Sequence, residues 1–145
     1  MNNITIRDFE EKDYSEMLEL WNDTGLATPQ RNDNLEVILN SIRMGGRLFI
    51  AETSGKEMVA TAWVTFDGRR LHFHHLGVRP DYRGKGLGRQ MTSRCIEFAK
   101  EKGSQIKLEV HRDNLPAINL FTSSGFNYLG DYDVYIIRDF SKTGL

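Results

Sequence analysis

The most informative stretch of this sequence is LGVRPDYRGKGLG, which occupies residues 76–88. It follows a strand-like pattern over residues 71–78 and precedes a run with helical apolar spacing that continues to about Lys102. Its closely spaced glycines let the backbone approach a ligand and turn several N–H groups the same way. The first N–H groups of the following helix have no intrahelical partner and lie at its positive end. The stretch therefore predicts a phosphate-binding loop.

Two common phosphate motifs do not fit this loop. A Walker loop requires Gly-Lys-Ser/Thr, but Lys85 is followed by glycine. A dinucleotide fingerprint requires Gly-x-Gly-x-x-Gly, and its third glycine would fall at Arg89 or Met91. The pattern that does match is Arg/Gln-x-x-Gly-x-Gly, at residues 83–88. Three basic side chains, from Arg83, Lys85 and Arg89, add local positive charge for an anion.

Outward from the loop, apolar spacing and turn signals predict an α/β fold. The predicted strands cover residues 4–6, 47–53, 57–67, 71–78, 105–111, 126–129 and 132–138, and the predicted helices cover residues 13–23, 33–44, 87–102 and 116–124. The strand–helix–strand unit in the middle of the chain implies one parallel pair. We expect a mixed, mostly antiparallel central sheet of six to seven strands, with about four helices covering both faces.

The composition is that of a single globular domain spanning residues 1–145, with 39% apolar and 27% charged residues. The net charge of −1 gives no electrostatic reason to expect nucleic acid or an anionic membrane as a partner. One cysteine, Cys95, excludes an internal disulfide, and the first residues lack the apolar core of a signal peptide. We expect a soluble cytoplasmic protein.

Two motifs, in this order along the chain, resemble signatures of the GNAT superfamily of acyl-CoA-dependent N-acyltransferases. The first is the loop at residues 76–88. The second is NLPAINLFTSSGF at residues 114–126, which is similar to Asn-x-x-Ala-x-x-x-Tyr/Phe-x-x-x-Gly-Phe. The resemblance implies that acetyl-CoA is the cofactor. It also implies that the parallel strands at residues 71–78 and 105–111 are splayed apart to admit the thioester.

The resemblance assigns cofactor contacts to both motifs. Backbone amides of the loop would bind the diphosphate, the main chain before the loop would bind the pantetheine arm, and the second motif would line that arm. The implied cofactor-binding residues are Leu76, Gly77, Val78, Arg83, Gly84, Lys85, Gly86, Leu87, Gly88, Arg89, Asn114, Ala117 and Phe121.

Three histidines on one predicted strand are candidates for accepting the proton of an amine, since neutral imidazole suits that role near pH 7. A two-residue period places His72 and His74 on one face and His75 on the other. His-x-His at this point resembles the arylalkylamine acetyltransferase branch, in which paired histidines relay the proton through water. His74 and His72 are therefore the predicted catalytic residues. They could instead be packing residues; no Cys/His cluster completes a metal site, so no metal is predicted.

The sequence does not fix the group that protonates the leaving thiolate. The resemblance implies a tyrosine at the position of Phe121, and Tyr128, Tyr132 or Tyr135 could replace it. A thiolate could also leave unaided, because the pKa of a thiol is about 8.5. Cys95 lies on the apolar face of its predicted helix, which is typical of a packing thiol. We therefore expect direct attack of the amine in a ternary complex.

By the resemblance, the acceptor is recognised by the two N-terminal helices and the loop between them. Arg31 in this loop could pair with a substrate carboxylate, and His111 could reach the amine from the other splayed strand. Asp33 could meet a cation or cap a helix. The leading hypothesis is acetylation of the primary amine of a small molecule, such as an amino acid. A protein N-terminus or lysine as acceptor, or a catalytically weak acyl-CoA sensor, is the alternative. The chain could be a monomer or a homodimer.

Overall fold

The computed structural model describes residues 3–144, which form one mixed sheet with helices on both faces. The strands in this part of the chain are β1 (Ile4–Asp8), β2 (Arg47–Thr53), β3 (Met58–Phe66), β4 (Leu71–Val78) and β5 (Ile106–Leu108). The α-helices are α1 (Tyr14–Asp23), α2 (Leu35–Arg43), α3 (Leu87–Lys102) and α4 (Leu115–Ser123). Strand order follows the chain, and β4–β5 is parallel while the other pairings are antiparallel. The predicted α/β architecture, mostly antiparallel with four helices, is confirmed.

Each face of the sheet packs against its own helices. The first face, against α1 and α2, buries Met17, Leu20, Trp21, Ile38, Leu48, Ile50 and Trp63. The second face, against α3 and α4, buries Phe49, Val64, Leu71, Phe73, Met91, Cys95, Phe98 and Phe121. Full burial of one such side chain contributes about 1.5–3 kcal/mol, so each cluster holds its helices firmly on the sheet. Within residues 3–144, no helix is both long enough and apolar enough to cross a bilayer.

The two parallel strands separate partway along their length. Pairing between β4 and β5 ends at Phe73 and Leu108, although β4 itself continues to Val78. The backbone of residues 74–78 therefore pairs with β3 on one side and, among the described residues, has no strand on the other. This opening agrees with the splayed parallel pair that the resemblance implies.

A bulge in β4 changes the face on which one of its histidines lies. Thr61 of β3 pairs with Gly77, whereas Trp63 pairs with His74, so two residues beginning with His75 share one partner. His75 adopts a left-handed φ of 48°, which is uncommon outside glycine. Its ring packs edge-on against Trp63, at 5.3 Å between centroids, and Trp63 also lies 6.0 Å from the ring of His74. The prediction that His75 faces away from His74 is therefore wrong.

The chain after α4 also differs from the prediction. Residues 126–129 and 132–138 are predicted as closing strands, but neither forms a strand, and β5 is shorter than the predicted 105–111. The described chain thus has five strands, and the prediction of six to seven is wrong. The alternating pattern identifies residues suited to a strand, yet it does not say which sheet edge they pair with.

One buried ion cluster ties β1 to β2 and to the turn before α1. Arg7 donates from Nη1 and Nη2 to Asp13 at 2.8 and 2.9 Å, and from Nη2 to Glu52 at 3.1 Å. The carboxylates of Asp13 and Glu52 are buried, whereas Arg7 keeps 27% of its side-chain surface exposed. Their hydrogen bonds to Arg7 lower the pKa of both carboxyl groups.

Replacing Arg7 by methionine is expected to lower the free energy of unfolding by about 3 kcal/mol at pH 7, because the buried carboxylate of Asp13 loses its paired cation and Glu52 keeps only Lys56, at 3.6 Å. Both folded-state pKa values are lowered in the parent, so the stabilisation is present above the unfolded pKa and is lost as pH falls through the folded one. The difference between parent and variant should therefore shrink between pH 5 and pH 3 in urea titrations. Lys12→Met, which removes an exposed partner of Glu10, is the control and should change stability by less than ~0.5 kcal/mol. A pH-independent difference would contradict this account.

Candidate active site

The glycine-rich loop lies between the end of β4 and the start of α3. Gly84 and Gly86 have φ angles of 75° and 85°, in the left-handed region that favours glycine. A Cβ atom at either position would meet nothing within 4 Å, so packing against protein does not account for these glycines. Among the described residues no side chain caps α3, so its first N–H groups, from Leu87 onward, are available to a ligand. Open space, backbone conformation and free donors together fit a diphosphate.

The basic side chains around the loop are held by neutral partners. Arg83 donates from Nε to the Val78 carbonyl at 3.1 Å, and Arg89 donates from Nη2 to Ser123 Oγ at 2.8 Å. These partners carry no charge, so neither contact sets a carboxylate against the guanidinium group at the exposed loop. Lys85, also exposed, is the third cation. The structure thus places all three predicted cations around the free end of α3.

From this loop, the open edge of β4 leads into the sheet. The main chain of residues 76–78 offers this edge to an amide-bearing arm as if to an added strand. The flanking helix α4 is capped by Asn114, whose side chain accepts from the Ala117 N–H at 3.3 Å. Phe121 is buried, and its ring lies edge-on to Phe73 at 5.7 Å, at the point where β4 and β5 part. Asn114 and Phe121 therefore also have structural roles in shaping this opening.

On the first face of the sheet, a cavity of about 220 Å³ lies between α1 and the segment that leads to α2. Its lining residues are Trp21, Asn22, Leu26, Ala27, Thr28 and Asp33. The lining segment approaches β4 closely at Gly77, where a Cβ atom would lie 2.9 Å from Leu26. The cavity and the open edge of β4 are therefore separated by little more than the strand itself.

A histidine–aspartate pair adjoins this cavity. His75 Nε2 lies 2.7 Å from Asp33 Oδ2, and only 10% and 20% of the two side chains are exposed. Asp33 is free for this contact because Asn34 caps α2, accepting the Val37 N–H at 2.9 Å, so the predicted capping role of Asp33 is not observed. The ring of Trp21 packs edge-on against His75 at 4.7 Å. A carboxylate on one imidazole nitrogen leaves the other available as a proton acceptor.

The two predicted catalytic histidines lie beside this pair. His72 and His74 stack at 6.0 Å between centroids, and His74 Nε2 is 2.9 Å from Thr65 Oγ1. Desolvation, with added repulsion from the charges of His75 and His72, lowers the pKa of His74 to about 4. The lowered pKa makes His74 a weaker base than an unperturbed imidazole, although its side chain is exposed on the sheet.

The predicted acceptor residues have different placements. Arg31 lies in a short 3₁₀ turn near the cavity and donates from Nη1 to the Leu26 carbonyl at 3.1 Å. His111 follows β5, is 75% exposed, and pairs with Asp113 in its own loop, so it does not line the cavity. Sequence reasoning missed the His75–Asp33 pair. A bulge and a contact across 42 positions create that pair, and neither leaves a local sequence signal.

Cys95 lies on the buried face of α3, and desolvation raises the pKa of its thiol to about 12. A thiol of that kind is not a nucleophile at neutral pH, as the sequence predicts. Among the described residues, no group of three or more His, Cys, Asp or Glu side chains is arranged to hold a metal ion.

The model of the acetyltransferase (GNAT) family matches residues 4–126. Among solved structures, the chain is 26% identical to a Salmonella typhimurium protein solved with its cofactor acetyl-CoA, with a TM-score of 0.71 over 86% of this chain and 79% of that one. It is 25% identical to the ribosomal-protein-S18-alanine N-acetyltransferase of Escherichia coli, with a TM-score of 0.73 over 86% and 78% of the two chains.

A third solved structure shares the fold at lower identity. It is the aminoglycoside 6'-N-acetyltransferase of Acinetobacter baumannii, 18% identical, with a TM-score of 0.68 over 94% of this chain and 99% of that one. The Escherichia coli enzyme is named for a ribosomal protein as acceptor, and the Acinetobacter baumannii enzyme for a small antibiotic. The comparisons therefore agree on the type of reaction and differ on the acceptor.

Proposed function

This chain belongs to the acetyltransferase (GNAT) family and is an acetyl-CoA-dependent N-acetyltransferase, and from that premise we propose that its acceptor is the primary amine of a small molecule. The observation that carries the proposal is the cavity beside β4. Its volume of about 220 Å³ is below the roughly 300–1,000 Å³ of sites for drug-sized ligands. A free amino acid or a compact amine suits a site of this size.

The chemistry of the cavity supports an acceptor with an ammonium group. Asp33 lines it, and a carboxylate attracts a cation, whereas the ring of Trp21 is buried against Trp63 and His75. Arg31 in the neighbouring turn offers a guanidinium that a substrate carboxylate could pair with. An α-amino acid carries both charges, so it is the acceptor class that we test first.

The cofactor residues act by binding and orientation. The N–H groups at the start of α3, with Arg83, Lys85 and Arg89 around them, hold the diphosphate. The main chain of residues 76–78 aligns the pantetheine arm, and a strand N–H there is placed to stabilise negative charge on the acyl oxygen. When bound, acetyl-CoA supplies an acyl group activated as a thioester.

The acceptor must lose a proton before it can attack. An alkylamine near pH 7.4 is about three pH units below its pKa, which costs about 4 kcal/mol. We propose that His75, oriented by Asp33, accepts this proton at its free ring nitrogen. His74 and His72 stay candidates for a relay from the same strand, although the lowered pKa of His74 makes it the weaker base. Attack is direct, because Cys95 is buried and protonated.

A thiol-release assay with acetyl-CoA over a panel of amino acids, small amines and short peptides tests the acceptor. We expect turnover with at least one amino acid or small amine, at a kcat/KM more than tenfold above that for any peptide. Turnover only with peptides would move the acceptor to a protein amine, which the likeness to the ribosomal-protein enzyme favours. Coenzyme A binding without turnover on any amine would favour the sensor function that Phe121, in place of tyrosine, leaves open.

The proposal also includes a cytoplasmic location, with which the reaction and the single unreactive cysteine are consistent.

A further inference from the structure

A buried threonine connects the main chain of His75 to one of the rings that pack on its imidazole. Thr61 of β3 has no exposed surface. Its Oγ1 accepts from Trp21 Nε1 at 2.9 Å and donates to the His75 carbonyl oxygen at 3.5 Å. A hydroxyl has one hydrogen to donate and lone pairs that accept, so both contacts exist at the same time. Thr61 therefore joins the ring packing and the backbone of the same histidine.

The imidazole of His75 is enclosed by two indole rings. The rings of Trp21 and Trp63 are nearly parallel, at 21°, with 6.0 Å between their centroids. The His75 ring is edge-on to both, at centroid distances of 4.7 and 5.3 Å and at angles of 71° and 88°. Both tryptophans are buried. Close packing of this kind restricts rotation of the imidazole, so the position of the indoles sets the direction of its two nitrogens.

The N–H groups of the two indoles are anchored in different ways. Trp63 donates from Nε1 to Ser41 Oγ at 2.9 Å, and Ser41 donates to the Ile38 carbonyl of its own helix at 2.7 Å. This anchor fixes Trp63 to α2 and does not involve β4. The anchor of Trp21 does involve β4, because the hydroxyl of Thr61 continues to the histidine itself. Of the two hydroxyls, Thr61 is the one that couples the aromatic packing to the histidine backbone.

The backbone of His75 is of a kind that needs such a constraint. Thr61 lies beside the bulge, at which two residues of β4 beginning with His75 share one partner on β3. His75 has a φ of 48° there. A residue other than glycine keeps a left-handed conformation only where its surroundings hold it. A hydrogen bond to the His75 carbonyl from the neighbouring strand is one such contact.

We propose that Thr61 is a positioning residue for removal of the amine proton, a role that rests on the proposed function of His75 as the general base. Its hydroxyl holds the His75 carbonyl and the indole of Trp21. The imidazole then keeps Nε2 at 2.7 Å from Asp33 Oδ2, which leaves Nδ1 to take the proton from the ammonium group. The product of that transfer is a neutral amine and an imidazolium ion beside the Asp33 carboxylate. Thr61 is fully buried, so it acts through His75 and not on the acceptor itself.

The first test compares two variants at this position. Thr61→Val removes the hydroxyl, whereas Thr61→Ser keeps it. With an alkylamine acceptor, Thr61→Val should lower kcat by about 10-fold or more, because the base is misplaced, and should change the KM for acetyl-CoA less than threefold. Thr61→Ser should keep kcat within threefold of the parent. A folded Thr61→Val enzyme with kcat within threefold of the parent would overturn the proposal.

A matched control separates this effect from a general loss of stability. Thr53 is also a buried strand threonine, and its hydroxyl accepts the Glu57 N–H at 3.2 Å at the β2–β3 turn. Thr53→Val should lower the melting temperature as Thr61→Val does, while kcat changes less than twofold. An equal fall in kcat in both variants would mean that Thr61 contributes only to stability.

A spectroscopic measurement tests the positioning directly. Nitrogen-15 NMR of the His75 ring reports which nitrogen carries the proton. In the parent and in Thr61→Ser, neutral His75 should carry it on Nε2, and in Thr61→Val signals of both tautomers should appear. Trp21→Phe removes the same hydrogen bond from its other end and should also give both signals, so the test does not depend on one variant.

The outcomes distinguish this proposal from the one on which it rests. A single Nε2–H tautomer in every variant would overturn the positioning role of Thr61. If His75→Ala is slow and Thr61→Val is not, the positioning role fails and His75 remains the base. If His75→Ala turns over at the rate of the parent, the assignment of the base fails, and the role of Thr61 fails with it.

Discussion

Replacing Gly86 by aspartate is expected to weaken coenzyme A binding by about 100-fold, equivalent to about 2.7 kcal/mol. Gly86 has a φ of 85° at the start of α3, where a Cβ atom would point into open space. An aspartate there places a negative charge among the N–H groups that hold the diphosphate. A side chain at this left-handed φ also strains the backbone by roughly 1–2 kcal/mol, and the loop relieves part of that strain by becoming less ordered. Titration calorimetry with coenzyme A measures the change.

Two control variants separate charge from backbone strain. Gly86→Asn has nearly the same shape without the charge, and asparagine tolerates left-handed φ, so we expect less than a tenfold loss. Gly103→Asp makes the same substitution at the other end of α3, at a φ of 71° and also in open space. It should cost stability without changing affinity. If Gly86→Asp binds coenzyme A within threefold of the parent, the diphosphate lies somewhere else.

The sequence predicts this loop well because every feature that defines it is local. Glycines, flanking basic residues and the start of an apolar helix lie within about 15 positions, and they specify backbone angles and free N–H groups directly. The order of strands and helices up to α4 follows from periodicity in the same way. Gly103 ends α3 with a left-handed φ, as its place after the last apolar residue predicts.

The features that the sequence does not predict depend on distant contacts. Residues 126–138 have the alternation of a strand but form none, because the pattern does not by itself supply a sheet edge to pair with. His75 breaks the two-residue period because a bulge inserts an extra residue opposite Ala62. Asp33 and Asn34 are equally good helix caps by type, and only the fold shows that Asn34 takes the role and leaves Asp33 to His75.

The contact between His75 and Asp33 is the basis of the second prediction with a large effect. His75→Ala is expected to lower kcat by about 100- to 1,000-fold for an alkylamine acceptor, within the range for loss of a general base. The KM for acetyl-CoA should change less than threefold, since the diphosphate loop is untouched. Added imidazole should restore part of the activity, which would not happen if His75 only supported the packing of Trp21. Asp33→Asn, which keeps a hydrogen-bonding partner for the ring but removes its charge, should lose about tenfold.

The variant His74→Ala separates the assignment of His75 as the general base from the sequence-based prediction of His74. With its pKa lowered to about 4, His74 is already neutral above pH 5, so its removal should leave the shape of the pH–rate profile unchanged from pH 5 to pH 9. A loss of activity that is larger for His74→Ala than for His75→Ala, with an altered pH–rate profile, would mean that the general base is His72 or His74.

The need for a general base also depends on the acceptor. An α-amine with a pKa near 8 costs less than ~1 kcal/mol to deprotonate, so the defect of His75→Ala should shrink for such acceptors and grow with amine pKa. That dependence links the loss of rate to removal of the amine proton, because a general loss of fold would reduce the rates for all amines alike.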